Sequence, residues 1–272
     1  MDSNLLEDGT DDILRAVLER TDGDLVVVDP SAEVITSLVE LGSEYDGELP
    51  ALDVVADERL LKDVMDDFIV ASAAADLVEA GDMTLRNLED GADNTLLVGE
   101  DSLYALVRAG EHVAALSADD DSFIADAYET FHDQWAEAEP FNLRTPPLDH
   151  VRSTLAEDIG EDVQADFDAV LSSLETARGD GDGLDEVTIS LLVAAKNDVL
   201  LYDISKWGED VGIASKATFS RTKTRLEDMG LIDTEKVPID VGRPRLRLKL
   251  GDEKLRGADA ASLAGVAHSM LN

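Results

Sequence analysis

The chain contains no cysteine and few aromatic residues, and both absences narrow what it can be. Without cysteine it forms no disulfide, no thiolate metal site and no thiol nucleophile. Phe, Trp and Tyr make up only 4% of the residues, so we expect a core of Ala, Val and Leu. No apolar run approaches the roughly 18 residues of a membrane-spanning helix, and residues 1–10 are acidic, unlike a signal peptide. These absences predict a cytoplasmic protein that does not enter the membrane.

Basic residues are scarce as well. The chain has 22 Lys and Arg against 61 Asp and Glu, a formal charge of 22 − 61 = −39. So large a charge destabilises a compact chain through self-repulsion. At molar salt the Debye length falls to about 3 Å, which screens that repulsion. Because apolar segments recur periodically, disorder does not explain the composition. We interpret it as that of a folded protein from a halophilic cytoplasm.

The motifs of common enzyme classes are missing too. No Gly-x-Ser-x-Gly, Walker loop or Gly-x-Gly-x-x-Gly occurs, and the four histidines are dispersed without metal-ligand spacing. Asp29 follows a strand-like run, where some phosphatases carry a nucleophile, but no paired Asp-x-Asp follows it. Residues 178–183 superficially suggest a calcium loop, yet they lack the EF-hand spacing and its terminal Glu, so we predict a linker there. We expect no catalytic residue, no metal and no cofactor.

One stretch, residues 204–250, has the pattern of a DNA-binding module. Ser215 is placed to cap a helix, and Gly230 to end it in the left-handed conformation. The stretch predicts, in order, a helix, a tight turn, a second helix and two strands: Ile204–Val211, Gly212-Ile213, Ser215–Met229, Leu231–Val237 and Arg245–Leu250. This order is that of a winged helix-turn-helix.

The charge of this stretch supports the same interpretation. Between Ala214 and Lys249 there are nine Lys and Arg and five Asp and Glu, so it carries 9 − 5 = +4. A positively charged stretch in so negative a chain is expected where a protein binds the phosphate backbone of a nucleic acid. The segment from Val241 to Arg247 forms the wing, and alternation puts Arg245, Arg247 and Lys249 on one strand face.

Helical geometry then separates the two sides of the second helix. An apolar stripe should face inward, and Lys223 beside it should only snorkel; the stripe is Phe219, Thr222, Leu226 and Met229. The opposite face is small, hydroxylated and basic, and Arg221 can reach a guanine edge from it. That face and the wing predict these DNA-contacting residues: Lys216, Ala217, Thr218, Ser220, Arg221, Thr224, Arg225, Arg243, Pro244, Arg245 and Arg247.

The rest of the chain predicts three further parts around the winged helix-turn-helix of residues 184–256. Residues 1–140 alternate strands with helices and end in a hairpin and a helix, as in a small α/β sandwich with a regulatory role. Within them we predict one long helix from Asp57 to about Ala80, and a helix over Asp119–Ala138 whose apolar face begins at Phe123. Residues 141–183 predict a helical connector, and residues 257–272 a terminal helix.

Two of these helices predict a homodimer. Asp162–Thr176 and Ala258–Leu271 each carry an apolar face without an obvious partner in the same chain. One winged helix also covers only a single DNA half-site, so a two-fold dimer would bind a roughly palindromic site.

The α/β part is the natural place for an effector. Carboxyl ends of strands and helix N-termini offer backbone amides to an anion, which indicates Ser31 and the Gly99–Ser102 turn. Any phosphorylated ligand must also draw on the nine basic residues that precede residue 196. The predicted effector-binding residues are Ser31, Arg59, Arg86, Ser102 and Arg144, although each arginine is more typical of a surface ion pair than of a ligand contact.

The whole chain resembles the haloarchaeal TbsP-type transcriptional regulators, which work alongside the sugar-responsive TrmB regulators. The residues that carry the resemblance are Leu25–Ser31, Phe131–Ala136, Asp162–Leu174, Ser215–Ile232 and Gly242–Arg245. The resemblance implies a dimeric repressor or activator of central carbon metabolism, including gluconeogenesis, whose N-terminal domain senses a sugar phosphate. Two alternatives stay open: a module whose winged helix recruits a protein instead of promoter DNA, and an acidic α/β enzyme.

Overall fold

The computed structural model describes residues 4–7, 9–45, 47, 49–88, 91, 94–110, 112–178, 184–240 and 244–271. The chain divides into two compact units. The first comprises Met1–Asp66 and Ala73–Leu143, and the second comprises Asp67–Ser72 and Arg144–Asn272. A short segment from the first half of the sequence therefore belongs to the second unit. No helix of the described part is long and apolar enough to cross a membrane.

The first unit is built on a mixed sheet of eight strands within the described residues. The strands are β1 (Leu5–Glu7), β2 (Asp24–Val28), β3 (Ala51–Ala56), β4 (Met83–Asn87), β5 (Leu96–Val98), β6 (Leu103–Ala109), β7 (His112–Ser117) and β8 (Glu139–Pro140). In space their order is β1-β7-β6-β5-β2-β3-β4-β8. The central β2, β3 and β4 are parallel, and the other pairings are antiparallel. The mixed α/β character predicted from the sequence is confirmed.

The central strands form where the sequence has continuous apolar runs, because both of their faces are buried. Leu25, Val26, Val27 and Val28 are each at most 1% exposed. Helix α5 (Asp121–Glu137) covers the face that carries Val26 and Val28. Helix α1 (Thr10–Leu18) packs against α2 (Ala32–Ser43) and against β7.

The helix predicted to run from Asp57 to Ala80 is in fact two helices. They are α3 (Glu58–Val64) and α4 (Phe68–Ala80). Asp57 caps the first, as predicted, by accepting the backbone N–H of Arg59 at 2.8 Å. The Asp67 carboxylate accepts the N–H of Ile69 at 3.0 Å and starts the second. The break was missed because both segments are rich in helix-forming residues and because Asp67 is also held by residues far away in the sequence.

Two further details of the first unit differ from the prediction. Strand β1, which pairs antiparallel with β7, was not predicted, since three residues are too few to display an alternating pattern. On α5, Phe123 is 57% exposed, whereas its neighbour Ile124 is 5% exposed. The apolar face of α5 therefore starts one residue later than predicted.

The second unit contains the predicted helix-turn-helix and hairpin. Its elements are α6 (Leu148–Asp158), α7 (Glu161–Leu171), α8 (Glu186–Lys196), α9 (Leu201–Val211), α10 (Lys216–Asp228), β9 (Ile232–Val237), β10 (Arg245–Leu250), α11 (Glu253–Arg256) and α12 (Ala260–Leu271). One core joins them, and its members include Phe167, Trp207, Phe219, Leu248 and Leu263, each at most 2% exposed.

The apolar faces of α7 and α12, predicted to lack partners, pack against each other. Phe167 on α7 and Leu263 and Ala267 on α12 are fully buried within the single chain. These faces therefore give no reason to expect a second subunit. The sequence predicted that this helix runs to Thr176, but α7 ends at Leu171.

Residues 172–178 are instead tied to the start of α4 through Asp67, which is only 3% exposed. Its carboxylate accepts hydrogen bonds from the hydroxyl of Thr176 and from the N–H of Ala177 at 3.1 Å. The N–H of Phe68 donates to the Ala177 carbonyl at 3.1 Å, and its ring meets the edge of Phe167 at 6.5 Å between centroids. These contacts place residues 67–72 in the second unit. Residues 179–183, the remainder of the predicted linker, lie outside the described residues.

Candidate nucleic-acid interface

The turn between α9 and α10 has the backbone geometry that the sequence predicted. Gly212 ends α9 in the left-handed conformation with φ +93°, and the N–H of Ile213 donates to the Gly208 carbonyl at 2.8 Å. The Ser215 hydroxyl caps α10 by accepting the N–H of Thr218 at 3.2 Å. Gly230 follows α10 with φ +75°. The predicted cap and both glycine turns are confirmed.

A close approach of α9 and α10 holds the two helices at a fixed crossing. A Cβ added at Gly208 would lie 2.4 Å from two ring carbons of Phe219, so only glycine fits there. Trp207, next to it, is 2% exposed and donates from Nε1 to the Thr154 hydroxyl on α6 at 3.1 Å. Sequence reasoning missed Gly208, although a glycine inside a helical pattern is a known sign of tight packing.

The outer face of α10 is exposed, as the predicted contact residues require. Ala217, Ser220, Arg221, Thr224 and Arg225 are exposed, and Lys216 and Thr218 are half-buried. The Arg221 guanidinium donates to the Thr218 hydroxyl at 3.3 Å, and that of Arg225 to the Thr188 hydroxyl on α8 at 3.2 Å. Among the described residues neither guanidinium makes an ion pair.

The inner side of α10 matches the prediction except at its end. Phe219 and Leu226 are fully buried. Lys223 is 9% exposed, and its Nζ lies 2.7 Å from a carboxylate oxygen of Glu227. Met229, predicted to share the buried stripe, is 42% exposed, because it is the C-cap residue beyond the last helical turn.

The wing sheet is wider than the predicted hairpin. Strands β9 and β10 pair from Arg245 opposite Val237 to Leu250 opposite Ile232. On the other side of β10, Leu200 forms an antiparallel bridge with Arg247, and the Leu248 N–H donates to the Val199 carbonyl at 2.9 Å. Residues just before α9 therefore run alongside β10 as a third, short edge.

The cations of β10 contact carboxylates of this edge and of α9. The Arg245 guanidinium lies 4.3 Å from the ring centroid of Tyr202 and 3.4 Å from the Asp203 carboxylate. The Lys249 Nζ lies 2.6 Å from the Asp198 carboxylate. At the start of α10, Lys216 makes the same kind of pair, with its Nζ 2.5 Å from Glu209 on α9.

Three predicted wing residues remain. The Nε atom of Arg247 is buried and has no hydrogen-bond partner among the described residues, while Pro244 is exposed. Arg243, with the turn that carries it, lies outside the described residues. The carboxylates that pair with these cations precede residue 214, so they were not counted in the charge of +4. When the range is extended to residues 198–249 it contains ten Lys and Arg and nine Asp and Glu, a charge of 10 − 9 = +1.

The five predicted effector residues do not form one site. Ser31 caps α2 by accepting the Val34 N–H at 3.3 Å, and Arg59 is exposed on α3. Because β2 and β3 are parallel neighbours, Ser31 and Arg59 both lie at the carboxyl edge of the sheet. Ser102 lies at the opposite end of β2, since it closes the turn after β5, where Val98 pairs with Val26. Arg144 belongs to the second unit.

Arg86, the remaining predicted residue, has a structural role. Its guanidinium donates to the carbonyls of Ala136 at 3.1 Å and Ala138 at 2.9 Å, and it lies 4.6 Å from the ring centroid of Trp135. It therefore joins β4 to the end of α5.

A pocket of about 690 Å³ opens at the carboxyl edge of the sheet beside this contact. Four carboxylates line it, those of Asp57, Glu58, Glu137 and Glu139. Their charge disfavours an anion in this pocket. In the described part of the chain, no group of three or more His, Asp or Glu side chains is placed to hold a metal ion.

A capped helix-turn-helix followed by a β-hairpin defines a DNA-binding transcriptional regulator, and the family models agree. The family "Transcriptional regulator TbsP-like, N-terminal" matches residues 2–146, and "Transcriptional regulator TbsP-like, C-terminal HTH domain" matches residues 147–268. The chain belongs to the TbsP-like transcriptional regulators, which are not enzymes.

Among solved structures, the chain is similar to the archaeal chromatin protein TrmBL2, whose structure is described as showing a novel mode of DNA binding. The identity is 15% and the TM-score 0.37, over 51% of this chain and 54% of that one. The chain thus spans about half the length of that protein. A search of curated proteins finds no match.

Proposed function

We propose that α10 is the recognition helix of a sequence-specific regulator and that it enters the DNA major groove. The observation that carries this is the outer face of α10, where Ser220, Arg221 and Thr224 are exposed on a helix whose other side is buried. Arg221 has no carboxylate partner among the described residues, so its guanidinium is free to bind a guanine edge in bidentate fashion. The proposed contacts are completed by Lys216, Ala217, Thr218, Arg225, Arg243, Pro244, Arg245 and Arg247.

Replacing Arg221 tests this directly. Fluorescence anisotropy would compare wild type and Arg221→Ala on a DNA site selected by the wild-type protein and on random DNA. We expect the substitution to cost about 1–3 kcal/mol on the selected site and much less on random DNA, because a base contact is lost.

Arg20→Ala is the matched control, since it removes the same charge from an exposed position in the first unit. We expect it to leave both affinities unchanged. Equal losses on selected and random DNA for Arg221→Ala would mean that Arg221 contacts only phosphate. Failure of the wild type to bind any DNA would favour a winged helix that recruits a protein.

The regulated genes are proposed from the family resemblance and the composition. We infer that the protein acts in a halophilic archaeal cytoplasm on genes of central carbon metabolism, including sugar breakdown and gluconeogenesis. Transcript profiling after deletion should show changes concentrated in those genes. A change confined to unrelated genes would contradict the assignment.

The protein is proposed to act as a homodimer. The support is that one winged helix covers one half-site, so a two-fold pair matches a palindromic operator. The buried faces of α7 and α12 do not supply the contact. Light scattering at molar KCl should give twice the chain mass, and a monomeric mass with and without DNA would rule the dimer out.

The proposed effector is a small anionic metabolite such as a sugar phosphate. Ser31 and Arg59 support its placement at the carboxyl edge of the sheet, since Ser31 caps the helix after β2, Arg59 lies on the helix after β3, and both are exposed. Thermal shift at high salt should detect binding, and Arg59→Ala should reduce it. An unchanged shift in Arg59→Ala would exclude this location.

A further inference from the structure

The cations that flank the proposed recognition face are already paired with carboxylates of the same chain. Lys216 pairs with Glu209, Arg245 with Asp203, and Lys249 with Asp198. All six side chains remain between 36% and 53% exposed, so each pair is open to a competing ligand. Arg221, at the centre of the face, has no such partner among the described residues.

The sheet register makes the wing pairs a consequence of the fold. Leu200 lies opposite Arg247 in antiparallel register. Next to this bridge, Asp198 pairs with Lys249, and Tyr202 and Asp203 in the first turn of α9 contact Arg245. The bridge therefore brings the start of α9 beside β10, where carboxylates and an aromatic ring contact the wing cations.

The pair at the start of α10 is equally well defined. Glu209 accepts from the Lys216 ammonium and also from the Lys216 backbone N–H, at 3.2 Å. The hydrogen bond from the Lys216 side chain lowers the pKa of Glu209, and the bond to Glu209 raises the pKa of Lys216. Both shifts favour the charged forms that make the pair.

Phosphate oxygens and carboxylate oxygens accept hydrogen bonds from the same cations in similar geometry. A phosphate that binds Lys216 must therefore displace Glu209, or share the ammonium with it. The carboxylate that is released sits next to DNA and attracts a cation from solution. Each exchange replaces one ion pair by another, so it adds little affinity and takes up salt cations, whereas an unpaired lysine would release them.

We propose that Glu209, Asp203 and Asp198 act as internal substitutes for DNA phosphates. These carboxylates hold the flanking cations in the free protein, and DNA phosphates replace them when DNA binds. This rests on the proposed function, in that α10 and the wing must bind DNA. The carboxylates suppress binding to any phosphate backbone but leave Arg221 unopposed. They consequently raise the ratio of specific to non-specific affinity.

The test is to neutralise one carboxylate without changing its shape. Glu209→Gln keeps an oxygen for the Lys216 backbone N–H and leaves the Ser215 cap intact, but it no longer holds the ammonium by charge. We expect Glu209→Gln to bind random DNA about two- to fivefold more tightly than wild type, the range expected for an exposed ion pair. The slope of log affinity against log salt should become more negative by up to about one unit.

Glu58→Gln is the matched control. Glu58 forms an exposed pair with Lys62 within α3 of the first unit, at 2.7 Å, so the variant has the same change in net charge away from the DNA-binding module. Because Glu58 is neither a proposed DNA contact nor a partner of one, we expect no change. Asp203→Asn is a second variant that tests the wing in the same way and serves if Glu209→Gln unfolds.

The outcomes separate this inference from the proposed function. Tighter random-DNA binding by Glu209→Gln or Asp203→Asn, with Glu58→Gln unchanged, supports the exchange. Unchanged or weaker binding by both folded variants, in a wild type that does bind DNA, overturns it. If the wild type binds no DNA at all, the proposed function itself has failed.

Discussion

Asp53 on β3 is 5% exposed and begins a chain of hydrogen bonds between polar side chains. Its carboxylate accepts the Thr84 hydroxyl at 2.8 Å, and Thr84 in turn accepts the Trp135 Nε1–H at 2.8 Å. Burial raises the pKa of Asp53, and the nearby charge of Asp24 adds to this, while Thr84, His132 and Arg86 act in the opposite direction. The balance disfavours the ionised carboxylate in the folded protein.

This balance gives a pH-dependent stability. Since the folded-state pKa lies above the unfolded value of about 3.9, the folded protein holds the proton more tightly, and stability is lost as pH rises between the two values. Asp53→Asn keeps an oxygen for Thr84 without a charge. We expect it to have a larger free energy of unfolding than wild type at pH 7, with the difference vanishing below about pH 4.

Urea denaturation in molar KCl from pH 4 to pH 8 would measure this. Asp126→Asn, which removes the same charge from an exposed position on α5, should show no such pH-dependent gain. A lower stability of Asp53→Asn at pH 7 would contradict the expectation, because the ionised carboxylate would then be favourable.

For individual residues, the sequence predicted caps and turns well and ion-pair partners poorly. The Ser215 cap and the left-handed Gly230 depend on residues a few positions away, so local pattern suffices. The pair between Arg245 and Asp203 joins residues 42 positions apart in the sequence, which the bridge between Leu200 and Arg247 brings together. Charge counted along the sequence could not reveal that these cations are compensated.

Among the elements, the crossing of α9 and α10 depends on Gly208. A methyl group there would overlap the Phe219 ring, which is fully buried and has no room to withdraw. We expect Gly208→Ala to lower the free energy of unfolding by about 1–3 kcal/mol, the usual cost of overpacking a core. Because the recognition helix would shift, the variant should also bind DNA less tightly.

Gly265→Ala is the control for helix propensity. Gly265 is exposed on α12, and an added Cβ would meet no atom within 4 Å. There the same substitution should stabilise the protein by up to about 1 kcal/mol, since alanine is the better helix former. Thermal unfolding of the Gly208→Ala and Gly265→Ala variants would measure both changes in stability. Equal effects at the two positions would show that the contact with Phe219 is unimportant.

The elements that sequence predicted well are those with a strong, continuous pattern. The apolar run of β2 and the periodicity of α10 both gave the right element, with bounds correct to within a few residues. The break between α3 and α4 was missed because it depends on Asp67 reaching residues 176 and 177. The partners of α7 and α12 were missed for the same reason, since they lie about a hundred residues apart in the sequence.

For the whole molecule, the charge distribution predicts an unusual response to salt. DNA-binding proteins ordinarily lose affinity steeply as salt rises, because each neutralised phosphate releases counterions. Here the module of residues 198–249 carries only 10 − 9 = +1 in a chain of −39. At molar KCl Coulomb attraction acts only at contact range, so base contacts and water must supply most of the affinity.

We therefore expect a shallow slope of log affinity against log salt between about 0.5 and 2 M KCl, and a reversed slope is compatible with cation uptake. Anisotropy titrations of the wild type at several KCl concentrations would measure it. A slope near one unit per contacted phosphate would contradict this expectation.

The contacts of Asp67 and Phe68 make the second unit discontinuous in sequence. A DNA-binding fragment cut at the obvious place, near residue 144, would lose the ring that meets Phe167 and the carboxylate that holds Thr176 and Ala177. The cut would expose the apolar side chains of residues 67–72 in the N-terminal fragment and leave a cavity in the C-terminal fragment. The order of folding on the ribosome is constrained as well: residues 67–72 emerge early but must wait for residues 167–177 before they can make these contacts. The two compact units therefore do not coincide with the two family models, which divide the chain at residue 146.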